Sequence, residues 1–567
     1  MRYHALACDY DGTIAHDGQL SESTIRALEQ VRESGRKVIL VTGRELDDLI
    51  LVCPRLDLFD RVVAENGALI YRPATREEKL LAEAPPEEFA RELTRRGAER
   101  VSVGRVIVAT WEPHETTALE VIRDLGLELQ VIFNKGAVMI LPSGVNKATG
   151  LTAALLELGL SAHNVVGVGD AENDHAFLHM CECSVAVANA LETLKQHVDW
   201  VASKRHGEGT SELCRALIDS DLRHIEGRHH RLCLGKAEEG SEVTIQPYGT
   251  NVLIAGSPGG GKSTLATAFI ERLEERGYQF VVIDPEGDYS MFEGGVLLGN
   301  KESAPGVQEV LDLLSKPDQS AAVNLTGLGL KERPAFLEAL LSRLQELRAR
   351  TGRPHWILID EAHHMLPSSR EVAGLTVPQR VYGLMLVTLE PDRIAPAILP
   401  SIDVVVAIGE NPDTTLRKFA EAVGEKPPRL TRRTLNTGEA VAWFRGTPQD
   451  PVWFRSALPR VERRRHRRKY AEGQLPPDLC FYFRGPEGKL NLRAQNLTMF
   501  LQMAEGVDDD TWLYHLKQGD ISRWFRTVIK DLELAAEAAK MENIEITAEE
   551  SRKRIRAEIE QRYTLAA

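Results

Sequence analysis

The chain has 567 residues, so at roughly 150 residues per domain it is expected to fold as three or four domains rather than one. Hydrophobic residues make up 43% and charged residues 27%, which excludes collagen-like, mucin-like and wholly disordered classes. With 83 Asp and Glu against 69 Lys and Arg the net charge is −14, so nucleic acid or an anionic membrane is repelled unless a local basic patch exists.

Strand-like apolar runs alternate with helical patterns over two thirds of the chain, predicting an α/β multidomain protein with parallel sheets. A first strand at 4–8 ends in Asp9 and Asp11. Ligands bind beyond the carboxyl ends of strands in open α/β sheets, so both acids face a crevice. Two acids spaced i, i+2 can divide labour, one attacking phosphorus and the other passing a proton to the leaving oxygen. A strand at 37–41 delivers Thr42, Gly43 and Arg44 to the same edge. Residues 73–143 read as an insertion with a helix at 86–96, strands near 100–103 and 106–111, a helix at 115–125, and strands at 129–134 and 137–141. Trp111, His114 and Asn134 are its candidates for substrate selection.

Lys147 opens the next helix, where its ammonium can neutralise a carboxylate nucleophile and phosphoryl oxygens. The strand at 164–168 ends in Asp170, followed by Asn173 and Asp174, oxygen donors suited to Mg²⁺. Seven cysteines show no C-x-x-C spacing; Cys181 and Cys183 fall in an apolar run, where reduced and buried thiols are expected.

The motifs DYDGT, VTGR, Lys147 and GDAENDHAFL, in that order, resemble the four motifs of the haloacid dehalogenase phosphatases over about the first 220 residues. The insertion resembles the class IIB cap of the Cof-type subfamily in its short form, shared by phosphoglycolate, sucrose-phosphate and mannosyl-phosphoglycerate phosphatases. The resemblance implies Asp9 as nucleophile, forming an aspartyl-phosphate, and Asp11 as general acid and base. It implies Thr42, Gly43 and Lys147 as phosphate binders. Asp9, the carbonyl of Asp11, and Asp170 would hold Mg²⁺, with Asp174 and Asn173 completing and supporting that shell.

After a domain at 1–222, the charged, aperiodic residues 223–231 read as a linker, and a second α/β domain is expected over 232–446. Its strand at 251–255 leads into Gly256, Gly259, Gly260, Gly261, Lys262, Ser263 and Thr264, then a helix at 265–276, which is G-x-x-x-x-G-K-[ST] in strand–loop–helix context. The glycines let backbone N–H groups surround ATP phosphates, Lys262 reaches those phosphates and Ser263 binds Mg²⁺. The strand at 356–359 ends in Asp360, a second Mg²⁺ position, and Glu361, which would polarise the attacking water. Together with residues 283–290 and 386–396, these motifs resemble HerA-type P-loop ATPases, which implies a hexamer with an arginine finger supplied between subunits. Arg393, Arg432 and Arg433 are candidates for that finger, and Leu389 stands where the family has a sensing Gln.

A Pro- and Arg-rich connector at 447–477 contains the basic run 460–470, which lacks the aromatic residues that stack bases. A small, mainly helical domain at 478–567 follows, with a Y-H-L…D-x-S-x-W pattern and a final helix at 548–563. No secretory segment and no apolar run of roughly 18 residues is present, so a cytoplasmic protein with no membrane partner is expected. The leading expectation is a Mg²⁺-dependent phosphomonoesterase acting on a small phosphorylated metabolite, fused to an ATP-binding domain. The alternatives are an ATP-driven nucleic acid translocase with an accessory phosphatase, and a nucleotide-gated oligomeric scaffold.

Overall fold

The computed structural model describes all residues except 226, 228, 258–259, 290–293, 369–381, 431–437, 457–458, 460–474, 476–478, 530, 543, 545 and 564–567. The chain forms two compact units, residues 1–457 and 458–567. Gly259, Arg432, Arg433 and the basic run 460–470 lie outside the described residues.

The first unit begins with an eight-stranded sheet among the described residues, in the order Trp200–Val201, Cys183–Ala186, Val165–Gly169, Ala5–Cys8, Lys37–Val41, Arg61–Ala64, Leu69–Arg72 and Glu77–Leu80. The first six are parallel and the last two antiparallel. All four residues of Ala5–Cys8 are buried, as expected for a central strand covered on both faces. The strand lies between Val165–Gly169 and Lys37–Val41, so Asp9, Thr42 and Asp170 emerge side by side at one edge.

The predicted insertion is a separate antiparallel sheet, Leu129–Asn134, Ala137–Pro142, Val108–Trp111 and Ser102–Val103, backed by helices Glu87–Arg95 and Glu115–Leu125. Its own core contains Phe89, Leu93, Val108, Val121, Val138 and Ile140. A second small cluster, with Ala68, Ile107, Met139 and Leu141, seats this cap on the main sheet.

The other large sheet has eleven strands among the described residues. Seven are parallel, in the order Val404–Ile408, Val252–Gly256, Leu384–Thr388, Trp356–Ile359, Phe280–Asp284, Ala321–Asn324 and Val296–Leu298. Val252–Gly256 and Trp356–Ile359 are thus separated by Leu384–Thr388, so that three strand ends converge on the glycine loop. The antiparallel edge runs through Glu439–Phe444, Val452–Arg455, Leu232–Ala237 and Glu242–Ile245. The sheet therefore reaches beyond 446 into what reads from sequence as a connector: Val452–Arg455 is only four residues long, too short for its alternation to stand out. Nor do residues 229 and 230 of the other expected linker hang free. His229 Nε2 lies 3.0 Å from the His197 carbonyl and His230 Nε2 3.0 Å from that of Cys181.

The second unit packs helices, ending in Ala548–Tyr563, around a two-stranded sheet of Phe481–Phe483 and Leu492–Ala494. The Y-H-L…D-x-S-x-W pattern resolves into structural contacts. His515 Nε2 accepts from the N–H groups of Arg484 and Gly485, and its Nδ1 lies 2.8 Å from Asp520 Oδ2. Ser522 donates to Glu542, and Trp524 Nε1 donates to the Leu479 carbonyl. All seven cysteines are free, and all but Cys233 are buried.

Candidate active sites

Lys147 owes its position to its helix ends. Asn146 caps Lys147–Leu158 by accepting from the N–H groups of Ala148 and Thr149, and Gly159 ends the helix in the left-handed conformation. The first turn packs so tightly on Gly67 (φ 106°) that a Cβ there would sit 1.9 Å from the Asn146 carbonyl. The ammonium, buried to 1% exposure, lies 2.6 Å from Asp9 Oδ1 and 2.6 Å from Asp174 Oδ1. The other oxygen of Asp174 accepts from the N–H groups of Asp170 and Ala171, which fixes the turn that presents Asp170.

Burial and the nearby Asp174 carboxylate raise the pKa of Asp9 to about 7, against the pull of Lys147. Burial also raises that of Asp170. Burial disfavours the Lys147 cation, but Asp174 and Asp9 outweigh it and its pKa is raised. Carboxylate oxygens of Asp9, Asp170 and Asp174 lie within 4.8 Å of one another, all buried. Such a set of hard oxygen donors, with Asp9 and Asp170 pushed toward protonation by burial, fits a divalent cation such as Mg²⁺.

Thr42 is buried and its Oγ1 accepts from the Arg44 N–H at 3.2 Å. Gly43 lies under the cap, where a Cβ would be 2.9 Å from Met139 Cε and 3.4 Å from Asn173 Nδ2. Asn173 donates to Asn66 Oδ1. Asp11 sits apart from the other acids. Its carboxylate is held by a two-pronged Arg44, at 2.6 Å from Nε and 2.7 Å from Nη2. Its carbonyl accepts from Lys135.

Sequence reasoning assigned no role to Arg44, Lys135, Glu65 or Asn189. Glu65, fully buried, accepts from the N–H groups of Arg105, Val106 and Ile107 and so latches the core to a cap turn. Asn189 donates to the Gly12 carbonyl and to Asp170 Oδ2. Of the cap candidates, Trp111 is 46% exposed, with its ring against the Gly136 turn, and His114 precedes helix Glu115–Leu125. Asn134 stands beside Lys135 with its Oδ1 buried and lacking a hydrogen-bond partner among the described residues. The available signal was a lysine in a two-residue turn between alternating strands.

The glycine loop forms the second site. Gly256 (φ 155°) passes so close to the neighbouring strand that a Cβ would lie 1.9 Å from the Ile408 carbonyl, and Gly261 (φ 99°) turns the chain into helix Lys262–Glu275. Gly260 completes the described part of the loop, and Ser263 and Thr264 lie in the first helical turn, half-buried. Lys262 donates to the Ser257 carbonyl at 3.1 Å, and burial lowers its pKa despite Glu361 and Asp360 nearby. Burial raises Asp360 to about 7 and also raises Glu361. Glu361, at φ 42°, has a buried Oε2 without a hydrogen-bond partner among the described residues, 3.3 Å from His363 Nδ1. Such an acceptor, facing a Lys at a helix N-terminus, fits a bound nucleotide and its water. Leu389 and Arg393 line a cavity of about 360 Å³ beside Ser257, where Arg393 pairs with Glu390 at 2.8 Å.

Residues 6–101 and 105–213 match the haloacid dehalogenase-like hydrolase family, and residues 247–376 match the AAA domain family. The phosphoglycolate phosphatase of Methanothermobacter thermautotrophicus is 30% identical over 223 residues, 38% of this chain and 98% of the relative. Those of Haloarcula marismortui (30% over 218 residues, 36% of this chain and 94% of the relative) and Methanobrevibacter smithii (26% over 233 residues, 38% and 100%) are similar over the same part. The motif-bearing strand ends, the cap over them and near-complete coverage of such relatives agree, and the chain belongs to the haloacid dehalogenase-like hydrolases, with an AAA domain fused behind its hydrolase domain.

Proposed function

We propose that the hydrolase domain, residues 1–222, is a Mg²⁺-dependent phosphomonoesterase acting on a small phosphorylated metabolite such as phosphoglycolate or a sugar phosphate. The observation that carries this reading is Lys147 bridging Asp9 and Asp174 beside Asp170 at one sheet edge. Asp9 attacks phosphorus, forming the aspartyl-phosphate as the bond to the leaving oxygen breaks. Lys147 neutralises the attacking carboxylate and, with Thr42 and the backbone at Gly43, holds the phosphoryl oxygens. Asp11, once released from Arg44, gives its proton to the leaving oxygen and then takes one from the water that cleaves the aspartyl-phosphate. Asp9, the Asp11 carbonyl and Asp170 would hold Mg²⁺, with Asp174 behind them; when bound it draws charge from the phosphoryl oxygens. The cap excludes water.

The domain at 232–446, with Val452–Arg455 as part of its edge, is read as an ATP-binding and hydrolysing domain: Gly256 to Thr264 cradle the phosphates, Ser263 and Asp360 would hold Mg²⁺, and Glu361 polarises water. ATP-dependent homo-oligomerisation, as in HerA-type rings, belongs to this reading. Screening the full chain and Asp9→Asn against phosphorylated metabolites, with and without ATP, tests it. Turnover that survives Asp9→Asn near the wild-type rate refutes the assignment.

A further inference from the structure

The tip of the cap hairpin carries a cation into the acid cluster. Leu129–Asn134 and Ala137–Pro142 are joined by only Lys135 and Gly136, both at positive φ (50° and 84°), the backbone of a tight two-residue turn. Lysine pays an energetic penalty in that conformation, which is a reason to ask what its side chain reaches. Lys135 Nζ lies 2.9 Å from the Asp11 carbonyl oxygen and 2.9 Å from Asp170 Oδ2. It hangs so closely over Gly12 that a Cβ there would be 2.7 Å from it. The lysine side chain is 44% exposed while that of Asp170 is 4% exposed, so the ammonium reaches down from the rim to a buried acid. The other cap cation at the junction with the core, Arg105, is held by Asp47 and Glu78. Among the described residues, Lys135 is the cap cation in contact with the acid cluster.

The two oxygens that Lys135 holds are two of those assigned above to Mg²⁺. An ammonium and a divalent cation cannot share them, because their mutual repulsion at such separations opposes joint occupancy. We propose that Lys135 is the specificity-determining residue of the cap: it and the divalent cation are alternative partners of the Asp11 carbonyl and Asp170, and the displaced ammonium pairs with a carboxylate of the substrate. The substrate class is then a small phosphomonoester with a carboxylate a few bonds from phosphorus, rather than a neutral sugar phosphate. Tethered on a rigid turn, the ammonium stays within a side-chain length of the phosphoryl site. A charge-assisted hydrogen bond in that enclosed space discriminates an anionic substrate from a neutral one. The substrate half of the proposal rests on the phosphomonoesterase reading; the cation half does not.

The test uses the full chain with Lys135→Ala and Lys135→Met, the latter keeping side-chain length. Calorimetric titration with Mg²⁺ in the absence of substrate is expected to show about tenfold tighter binding in both variants. The ratio of kcat/KM on phosphoglycolate to that on ethyl phosphate is expected to fall about tenfold or more, chiefly through KM on the carboxylated ester. Unchanged Mg²⁺ affinity in variants with wild-type melting behaviour overturns the shared-oxygen argument. An equal fall on both esters overturns the carboxylate assignment. If the wild type hydrolyses neither ester, the carboxylate assignment fails, the phosphomonoesterase reading is decided separately by the metabolite screen, and the Mg²⁺ titration still decides the cation half.

Discussion

His355 donates from Nε2 to Asn164 Oδ1 across 3.2 Å, joining the foot of the strand that ends at Asp360 to the foot of the strand that ends at Asp170. Its Nδ1 accepts from the Gln279 N–H, which leaves the proton on Nε2, and burial drives its pKa well below the usual histidine value. Asn164 in turn donates to the carbonyls of Arg2 and Gly352. Arg353, with no exposed surface, donates to the carbonyl of Gly159, at the C-terminus of the helix that begins with Lys147. The hydrolase and AAA domains thus share a polar, buried junction at the end of their strands opposite the motif-bearing loops.

This junction predicts that the two domains melt together. ATP and Mg²⁺ added to Glu361→Gln are expected to raise the temperature at which the hydrolase domain loses structure, because a ligand of either domain stabilises the shared unit. Arg353→Ala is expected to lower that temperature, with a loss of about 3 kcal/mol or more in unfolding free energy, since several buried carbonyls lose their donor. Scanning calorimetry that resolves a hydrolase transition indifferent to both would show that the domains are energetically separate.

Acid should loosen the same junction. Glu182 holds Arg2 at 2.6 Å, His163 at 2.8 Å and the Tyr278 hydroxyl at 2.7 Å. Burial alone would raise its pKa, but His163 and Arg2 hold it at about 2, against 4.5 for a free glutamate. A depressed carboxyl pKa contributes stability that is complete above about pH 4.5 and lost as pH falls through 2, here about 3 kcal/mol. Urea titrations between pH 7 and 2.5 should show wild type losing more stability than Glu182→Gln over that window. Parallel curves would remove Glu182 from the account.

In the hydrolase site, Asp9→Asn is expected to abolish turnover while leaving the fold and nucleotide binding intact, because the amide is nearly isosteric but not nucleophilic. Asp11→Asn should slow turnover by about 10²–10⁴-fold on esters with a poor leaving group, and less on p-nitrophenyl phosphate. Steady-state kinetics on both ester types check this, and an equal loss on the two would argue against proton transfer by Asp11.

Gly67→Ala is a positional test. The added Cβ would meet the Asn146 carbonyl, and φ 106° is a region that alanine avoids, so the helix bearing Lys147 must move. A loss of about 3 kcal/mol and of phosphatase activity is expected. A variant with wild-type activity and melting temperature would mean that the helix N-terminus is free to shift.

At the nucleotide site, Lys262→Ala should weaken ATP binding about tenfold or more, whereas Glu361→Gln should spare binding and stop hydrolysis. Isothermal titration and phosphate release separate the two. Hydrolysis at the wild-type rate in Glu361→Gln would reassign the residue that polarises water.

The two strand–loop edges were legible in the sequence because each depends on contiguous chemistry: an apolar run, then acids or glycines whose spacing is fixed by the backbone. The same holds for the cap, whose helix at 115–125 and strand at 129–134 alternate clearly enough to be placed residue by residue. What the linear order does not encode is which distant charges meet. Asp11 and Arg44 are 33 positions apart, Lys135 and Asp170 are 35 apart, and Arg353 and Gly159 are 194 apart. Each pairing exists because strand order and the seat of the cap bring two elements to one edge. The tertiary structure therefore decided that Asp11 is clamped, that the cap places a cation among the acids, and that the two domains share a junction, whereas local sequence alone determined which strand ends carry the acid and glycine motifs.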